Sequence, residues 1–179
     1  MKIHILGASG SGTSTVGRIL SERMAIPFFE SDDIFWEKTD VPFSLKRAKE
    51  KRIGILNGII ENNASWIIAG SALNWGDVLL ERSDAVVLLS CPSQERLSRL
   101  MAREKARFGD RIEAGNDMHS NHKEFIQWAM GYDTGGMETR SKASEEAWIE
   151  KAKGQVIKIE NRDSEKTASI LLTSHFSQI

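Results

Sequence analysis

The sequence holds a single cysteine, Cys91, among 179 residues. One thiol can form neither an internal disulfide nor a multi-cysteine metal site. At the end of an apolar stretch beside Pro92, it reads as a small buried hydrophobe. No apolar run approaches membrane-spanning length, and the N-terminus enters a strand without the regions of a signal peptide, so a cytoplasmic protein is expected. Excess charge is missing too. With 24 Lys and Arg against 25 Asp and Glu the net charge is −1, which leaves no electrostatic footprint for nucleic acid. Internal repeats and low-complexity tracts are absent. What remains, 40% hydrophobic, can bury one sizeable core, and a single domain over 1–179 with one or two insertions is the simplest organisation.

What is present begins at the N-terminus. Lys2 to Leu6 alternates and then runs apolar, as a buried strand does, while Val16, Ile19, Leu20 and Met24 recur at helical spacing. Between them lies Gly7-Ala8-Ser9-Gly10-Ser11-Gly12-Thr13-Ser14. Strand, glycine-rich loop and helix in that order are the context of a phosphate-binding loop. Glycines permit backbone conformations in which successive N–H groups converge on an anion, and the helix adds its own unpaired N–H groups and dipole. The loop matches the Walker A pattern except that Thr13 stands where Lys is expected; Ser14 is in place for magnesium, with Thr15 behind it. Two explanations of Thr13 follow. Either a cation arrives from elsewhere in the chain, or the loop binds nucleotide without catalysing, as in a regulatory protein.

Further along, Pro27 to Glu30 forms a short second strand that ends at Ser31-Asp32-Asp33. Ligands of an open α/β sheet lie beyond the carboxyl ends of its strands, so these acids share a rim with the glycine loop. A carboxylate there can hold a metal-bound water, accept a proton or bind an acceptor hydroxyl; as a plain alternative, Ser-Asp-Asp also suits a cap or turn. A loop through Phe43 leads to a helix expected from Ser44 to Asn62, with cations crowded in its first half, of which Lys46 and Arg47 are candidates to grip an anionic acceptor. Trp66 to Ser71 is a third strand ending in small residues, after which Ser71 and Asn74 can hydrogen-bond a ligand. Asp84 to Ser90 is the fourth and Gln155 to Glu160 the fifth. With helices between them, they describe a doubly wound five-stranded parallel sheet.

The helix after Pro92 carries Arg99, Arg103 and Arg107 on one face, a guanidinium stripe suited to phosphates. The glycine-flanked segments that follow, with a short helix around Phe125 to Ala129 between them, read as a mobile lid, beyond which stands Arg140. Asp117, His119 and His122 do not amount to a complete metal-ligand set. His4 is a core histidine, and the five tryptophans are packing residues.

These residues resemble the P-loop small-molecule kinases, most closely the adenylate-kinase-like branch, over nearly the whole chain. The likeness rests on the loop from Gly7 to Ser14, the acids after the second strand, Arg99 and Arg103, and Thr134-Gly135 leading to Arg140. It implies a P-loop NTPase fold with a core of about 1–33, 64–106 and 154–179, an acceptor-binding insertion at about 34–63 and a lid at about 107–141. ATP and Mg2+ are the implied cofactors and a small molecule the implied acceptor. By the same likeness Arg99 stacks on adenine, Arg103 and Arg140 grip phosphates, and Asp32 matches the acid that binds acceptor or metal shell in shikimate and gluconate kinases. Two departures stand out. Gly70-Ser71-Ala72-Leu73-Asn74-Trp75 replaces the Gly-Phe-Pro-Arg segment of adenylate kinases, and the Gly-Thr-Ser of the loop is similar to that of some phosphoribulokinases.

From the residues and the resemblance together, an ATP-dependent phosphotransferase is expected. Ser14 and Asp32 serve the metal, Arg103, Arg107 and Arg140 offset transition-state charge, and Asp33, Lys46, Arg47, Ser71 and Asn74 receive the acceptor.

Overall fold

The structure, a computed structural model, describes residues 1–176. Five strands, β1 (Lys2–Gly7), β2 (Phe28–Glu30), β3 (Trp66–Ala69), β4 (Ala85–Ser90) and β5 (Gln155–Glu160), form one sheet in the order β2-β3-β1-β4-β5. Every pairing is parallel, with Ile5 opposite Ala69 on one side of β1 and Gly7 opposite Leu89 on the other. Because β1 occupies the centre, the loop leaving its carboxyl end opens onto the middle of the rim.

Alternation along the strands divides the core into two layers. Leu6, Trp66, Ile68, Val86 and Leu88 point one way, against α3 (Lys49–Asn62), α4 (Val78–Arg82) and α7 (Lys142–Ile149). Ile3, Ile5, Ile67, Ala69, Val87 and Leu89 point the other way, against α1 (Thr13–Met24) and α8 (Ser164–Ile170). Both faces of the sheet are covered, which is why its central strands are almost uniformly apolar.

His4 is the exception within β1. It is fully buried, stacks edge-on to Trp148 and bonds through Nε2 to the Gly70 carbonyl at 3.0 Å. A carbonyl only accepts, so Nε2 carries the proton and Nδ1 is left without a partner. Burial lowers the His4 pKa to about 4, against the smaller upward pulls of the Gly70 bond and Glu145. Above pH 6.5 the ring is neutral in folded and unfolded chains alike. Between 6.5 and 4 only the unfolded chain takes up the proton, so stability falls as pH falls through that window, by roughly 3 kcal/mol in total. Urea titrations of the native protein and His4→Gln across pH 4–7 should differ by this slope, and parallel curves would rule the effect out.

Three boundaries differ from the expectations above. Ser31–Phe35 is a helix, α2, and not a loop, with Asp32 and Asp33 in its first turn, where the helix dipole favours acids. The next helix begins at Lys49 and not at Ser44. Ser44 donates to the Val41 carbonyl at 2.7 Å and contacts the Thr39 hydroxyl, a local pattern that competes with capping. Trp36 bridges Lys46, while Glu37 N–H donates to Leu45 and Arg47 N–H to Phe35, so 36–47 doubles back on itself. Finally, after α5 (Ser93–Phe108) the chain makes a 3-10 turn, Gly109–Ile112, and α6 spans His119–Met130, longer than the short helix read around Phe125. Phe108, Ile112 and Met118 cluster with Val41 against them, an apolar contact between the two segments expected to be insertion and lid. Among the described residues no helix is long and apolar enough to cross a membrane.

Candidate active site

The loop from Gly7 to Gly12 is shaped by what presses on it. Gly7, Gly10 and Gly12 have φ of 149°, 83° and 93°, which side chains rarely adopt. A Cβ at Gly7 would lie 2.2 Å from the Leu89 carbonyl oxygen of β4, and one at Gly12 would lie 2.4 Å from Asn161 Nδ2. Ser11 N–H returns to the Ala8 carbonyl at 3.0 Å, and α1 begins at Thr13, so Ser14 and Thr15 lie in its first turn. Ser9 is half-buried beside the fully buried Ser11.

Asn161, at the start of the Asn-Arg-Asp turn after β5, is the loop's main tether. Fully buried, it donates through Nδ2 to the Ser11 carbonyl at 2.7 Å, while Thr167 donates to its Oδ1 at 2.9 Å and its own N–H donates to Ser90. Nothing in a lone Asn-Arg-Asp turn signals a contact 150 residues away in the chain.

The arginines separate according to what holds them. Arg99 reaches the Asn161 and Gly10 carbonyls at 3.4 and 3.5 Å, and donates to Arg162 at 2.8 Å while paired with Glu95. It lies where the loop meets the turn after β5. Arg103 pairs with Glu104 at 3.2 Å and lies over the Phe125 ring of α6. Arg107 lies over Phe43 and Phe108. The stripe read on one helix face thus touches the glycine loop, the α6 helix and the 36–47 excursion in succession. Arg96, which opens the same run of cations, is fully buried, donates to the Cys91 and Ala129 carbonyls and pairs with Asp133.

Arg140 comes closest to the start of the loop. Its Nη2 donates to the Gly7 carbonyl at 2.6 Å, Nε donates to Glu145 at 2.8 Å, and the guanidinium lies 5.4 Å from the Trp128 ring centre. Trp128 is 47% exposed and, unlike a packing tryptophan, lines a cleft of about 430 Å3 with Gln127, Thr139 and Arg140.

Asp32 shares this neighbourhood electrostatically. Solvent reaches its side chain, yet the surrounding protein displaces enough water to raise its carboxyl above the ordinary carboxylate range. Arg140 pulls the other way, Glu30 adds to the rise, and Arg103 opposes it. Asp33 instead lines a cleft of about 270 Å3 with Arg18, Glu30 and Ile59 at the β2 edge. Arg47 is turned inward: it donates to the Asp33 and Ile34 carbonyls at 3.0 and 2.6 Å and pairs with Glu37, bracing α2. Lys46 is exposed at the Trp36 bridge. Ser71 accepts from Leu73 N–H at 3.4 Å, and Asn74 is exposed with φ 69°. Arg52, one cation of the crowded run in front of and within α3, lies over Phe35 at 4.4 Å and near Trp75.

Among the described residues, no group of three or more His, Cys, Asp or Glu is placed to hold a metal ion. Asp117 pairs with Arg111 and His119 bonds the Ile112 carbonyl. The oxygen donors of the rim, the Ser14 hydroxyl and Asp32 carboxylate, are of the hard type that suits magnesium alongside phosphate oxygens.

Comparison with known proteins agrees with this geometry. The AAA domain family matches residues 3–124. A Bacillus subtilis (strain 168) protein described as uncharacterized protein YqaC is 40% identical over 159 residues, covering 89% of this chain and 88% of that one. A cytidylate kinase of Methanothermobacter thermautotrophicus is 36% identical over 120 residues, 58% of this chain and 69% of the kinase. In fold, the chain is similar to shikimate kinase from Acinetobacter baumannii, solved in complex with shikimate, with a TM-score of 0.59 and 21% identity over 99% of this chain and 93% of the kinase. A central phosphate loop, a parallel sheet in which β1 lies between β3 and β4, and this kinship together establish that the chain belongs to the AAA domain family, among the P-loop proteins of the adenylate-kinase-like, small-molecule-kinase branch.

Proposed function

We propose that this protein is an ATP-dependent phosphotransferase that moves the γ-phosphate of Mg-ATP to a small acceptor, with nucleoside monophosphates among the classes to test first. The observation that carries the reading is the bond from Arg140 to the Gly7 carbonyl, which brings a permanent cation to a loop lacking its lysine. The cytidylate kinase relative supports the nucleotide-like acceptor.

In this reading the amides of residues 8–14 cradle the polyphosphate, Arg99 covers the adenine, and Ser14 with Asp32 would hold magnesium, which would supply charge neutralisation at the phosphates. Arg103, Arg107 and Arg140 offset the charge of a loose transition state. As the acceptor oxygen bonds phosphorus and the bond to ADP breaks, Asp32 takes the acceptor's proton. Asp33, Lys46, Ser71 and Asn74 belong to the acceptor side, and Arg47 supports them by bracing α2. Segment 34–63 acts as the acceptor-binding insertion and 107–141 as the lid, within one domain of a cytoplasmic protein.

The test is a screen of nucleoside monophosphates, sugars and hydroxy acids with γ-labelled ATP, read as label transferred to acceptor. Transfer to one class establishes the activity and names the acceptor. Tight Mg-ATP binding without transfer across the panel, unchanged in Thr13→Lys, would favour a nucleotide-binding regulator instead.

A further inference from the structure

Glu145, in the first turn of α7, has no exposed surface. An ionised carboxylate is held out of water only where its oxygens are bonded and its charge is matched. Both conditions are met here: Arg140 Nε donates to Oε1 at 2.8 Å, and the Tyr132 hydroxyl donates to Oε2 at 2.7 Å. The carboxylate does not roam. A reciprocal cap, Ser144 N–H to the Ser141 hydroxyl at 3.1 Å and Ser141 N–H to the Ser144 hydroxyl at 2.8 Å, sets the start of α7, and the helix dipole favours an acid there. On the far side, buried Tyr132 lies beneath Arg96, itself tied to Cys91 and Ala129. Burial and the adjacent carboxylate raise the Tyr132 pKa, so its hydroxyl remains a donor.

The manner of the pairing is informative. A carboxylate that merely neutralises an arginine commonly takes two parallel N–H bonds. Glu145 takes Nε, and the outer edge of the guanidinium is directed to the phosphate loop, where Nη2 meets the Gly7 carbonyl at 2.6 Å. Charge balance alone does not require this, because Arg140 is partly exposed and water would solvate it.

We propose that Glu145 is a positioning residue: its buried carboxylate, steadied by the Tyr132 hydroxyl, fixes the side chain of Arg140 so that the guanidinium edge stands at Gly7 of the phosphate loop. That the edge then acts on a transferred phosphate rests on the function proposed above. A misplacement of about 1 Å can cost a catalytic group on the order of a hundredfold in rate. The carboxylate, bonded to Tyr132 and Arg140, thereby governs the placement of a residue that reaches the loop.

The experiment has two arms. In the first, the Nε–H signals of 15N-arginine-labelled protein are recorded without nucleotide, that of Arg140 being assigned by its loss in Arg140→Lys. The native protein should give a resolved, slowly exchanging signal that Glu145→Gln collapses toward the solvent-exposed average. A native signal already at that average overturns the proposal. In the second, turnover is measured for Glu145→Gln, Arg140→Ala and the double variant. Glu145→Gln should lose on the order of a hundredfold in kcat with Mg-ATP affinity little changed, and the double variant should be no worse than Arg140→Ala. Losses that multiply, or full turnover in Glu145→Gln, overturn the positioning role. Should Glu145→Gln fail to fold, Tyr132→Phe takes its place, with a smaller drop in kcat and the same non-additivity expected. If the native protein transfers phosphate to no acceptor, the function above fails while the first arm still decides whether Glu145 holds Arg140.

Discussion

Arg140→Ala is expected to lower turnover by roughly three to five orders of magnitude, about 4–7 kcal/mol, while weakening Mg-ATP binding far less. The asymmetry follows from the kind of charge involved. In the proposed reading, the negative charge of ground-state ATP is already shared by loop amides, the α1 N-terminus and magnesium. In a loose transition state it shifts onto the transferring phosphoryl group and its leaving oxygen, where a positioned guanidinium counts most. P-loop NTPases use a lysine as well; here Thr13 has none to offer, and Arg140 is bonded to the carbonyl of Gly7 at the loop's beginning. Steady-state kinetics on the acceptor found by screening, with calorimetry of Mg-ATP binding, separate the two effects. Equal losses in rate and affinity would reduce Arg140 to a docking contact. Arg140→Lys should recover only part of the rate, since an ammonium reproduces the charge without the Nε bond to Glu145 and the outer edge together.

The second large effect is on stability. Gly7→Ala should destabilise the fold by roughly 2–6 kcal/mol, combining backbone strain and overpacking of about 1–3 kcal/mol each. The new methyl would lie 2.2 Å from the Leu89 carbonyl and 3.0 Å from Ser11 Oγ, at a φ of 149°. Leu89 has no room to retreat, because β4 is paired on both sides, to Gly7 in β1 and to Ile159 in β5. In a domain of this size each kcal/mol corresponds to about 2–4 °C, so a fall in melting temperature on the order of 10 °C is expected. The contrast is Gly54→Ala. Gly54 is exposed within α3 with nothing within 4 Å of a Cβ, so the same methyl should stabilise by about 0.4–1 kcal/mol. Thermal melts of the two variants should move in opposite directions; equal shifts would mean that the contacts around Gly7 give way easily.

Much of the architecture was readable because it depends on local periodicity. The five strands lie where alternation and apolar runs place them, and the glycine loop falls between strand and helix as its sequence implies. Boundaries moved where polar side chains had local alternatives: Ser44 looks like a cap in the sequence, yet its hydroxyl turns back to Val41. Exposure was likewise hidden. Trp128 has the composition of a core residue, but α6 is covered on one side only, so the ring remains 47% exposed.

The glycine loop, the alternation and the absence of a lysine are properties of neighbouring residues, and such properties survive in one dimension because period and turn chemistry act over a few positions. Which of many arginines reaches that loop is a different question. Arg47, Arg96, Arg99 and Arg140 are chemically alike in the chain, yet one braces a short helix, one is buried in the core, one joins the loop to the turn after β5, and one is held by Glu145 against Gly7. Those fates depend on contacts between residues as much as 133 positions apart, which only packing brings together, since a guanidinium takes its role from the carbonyls and carboxylates that surround it in space.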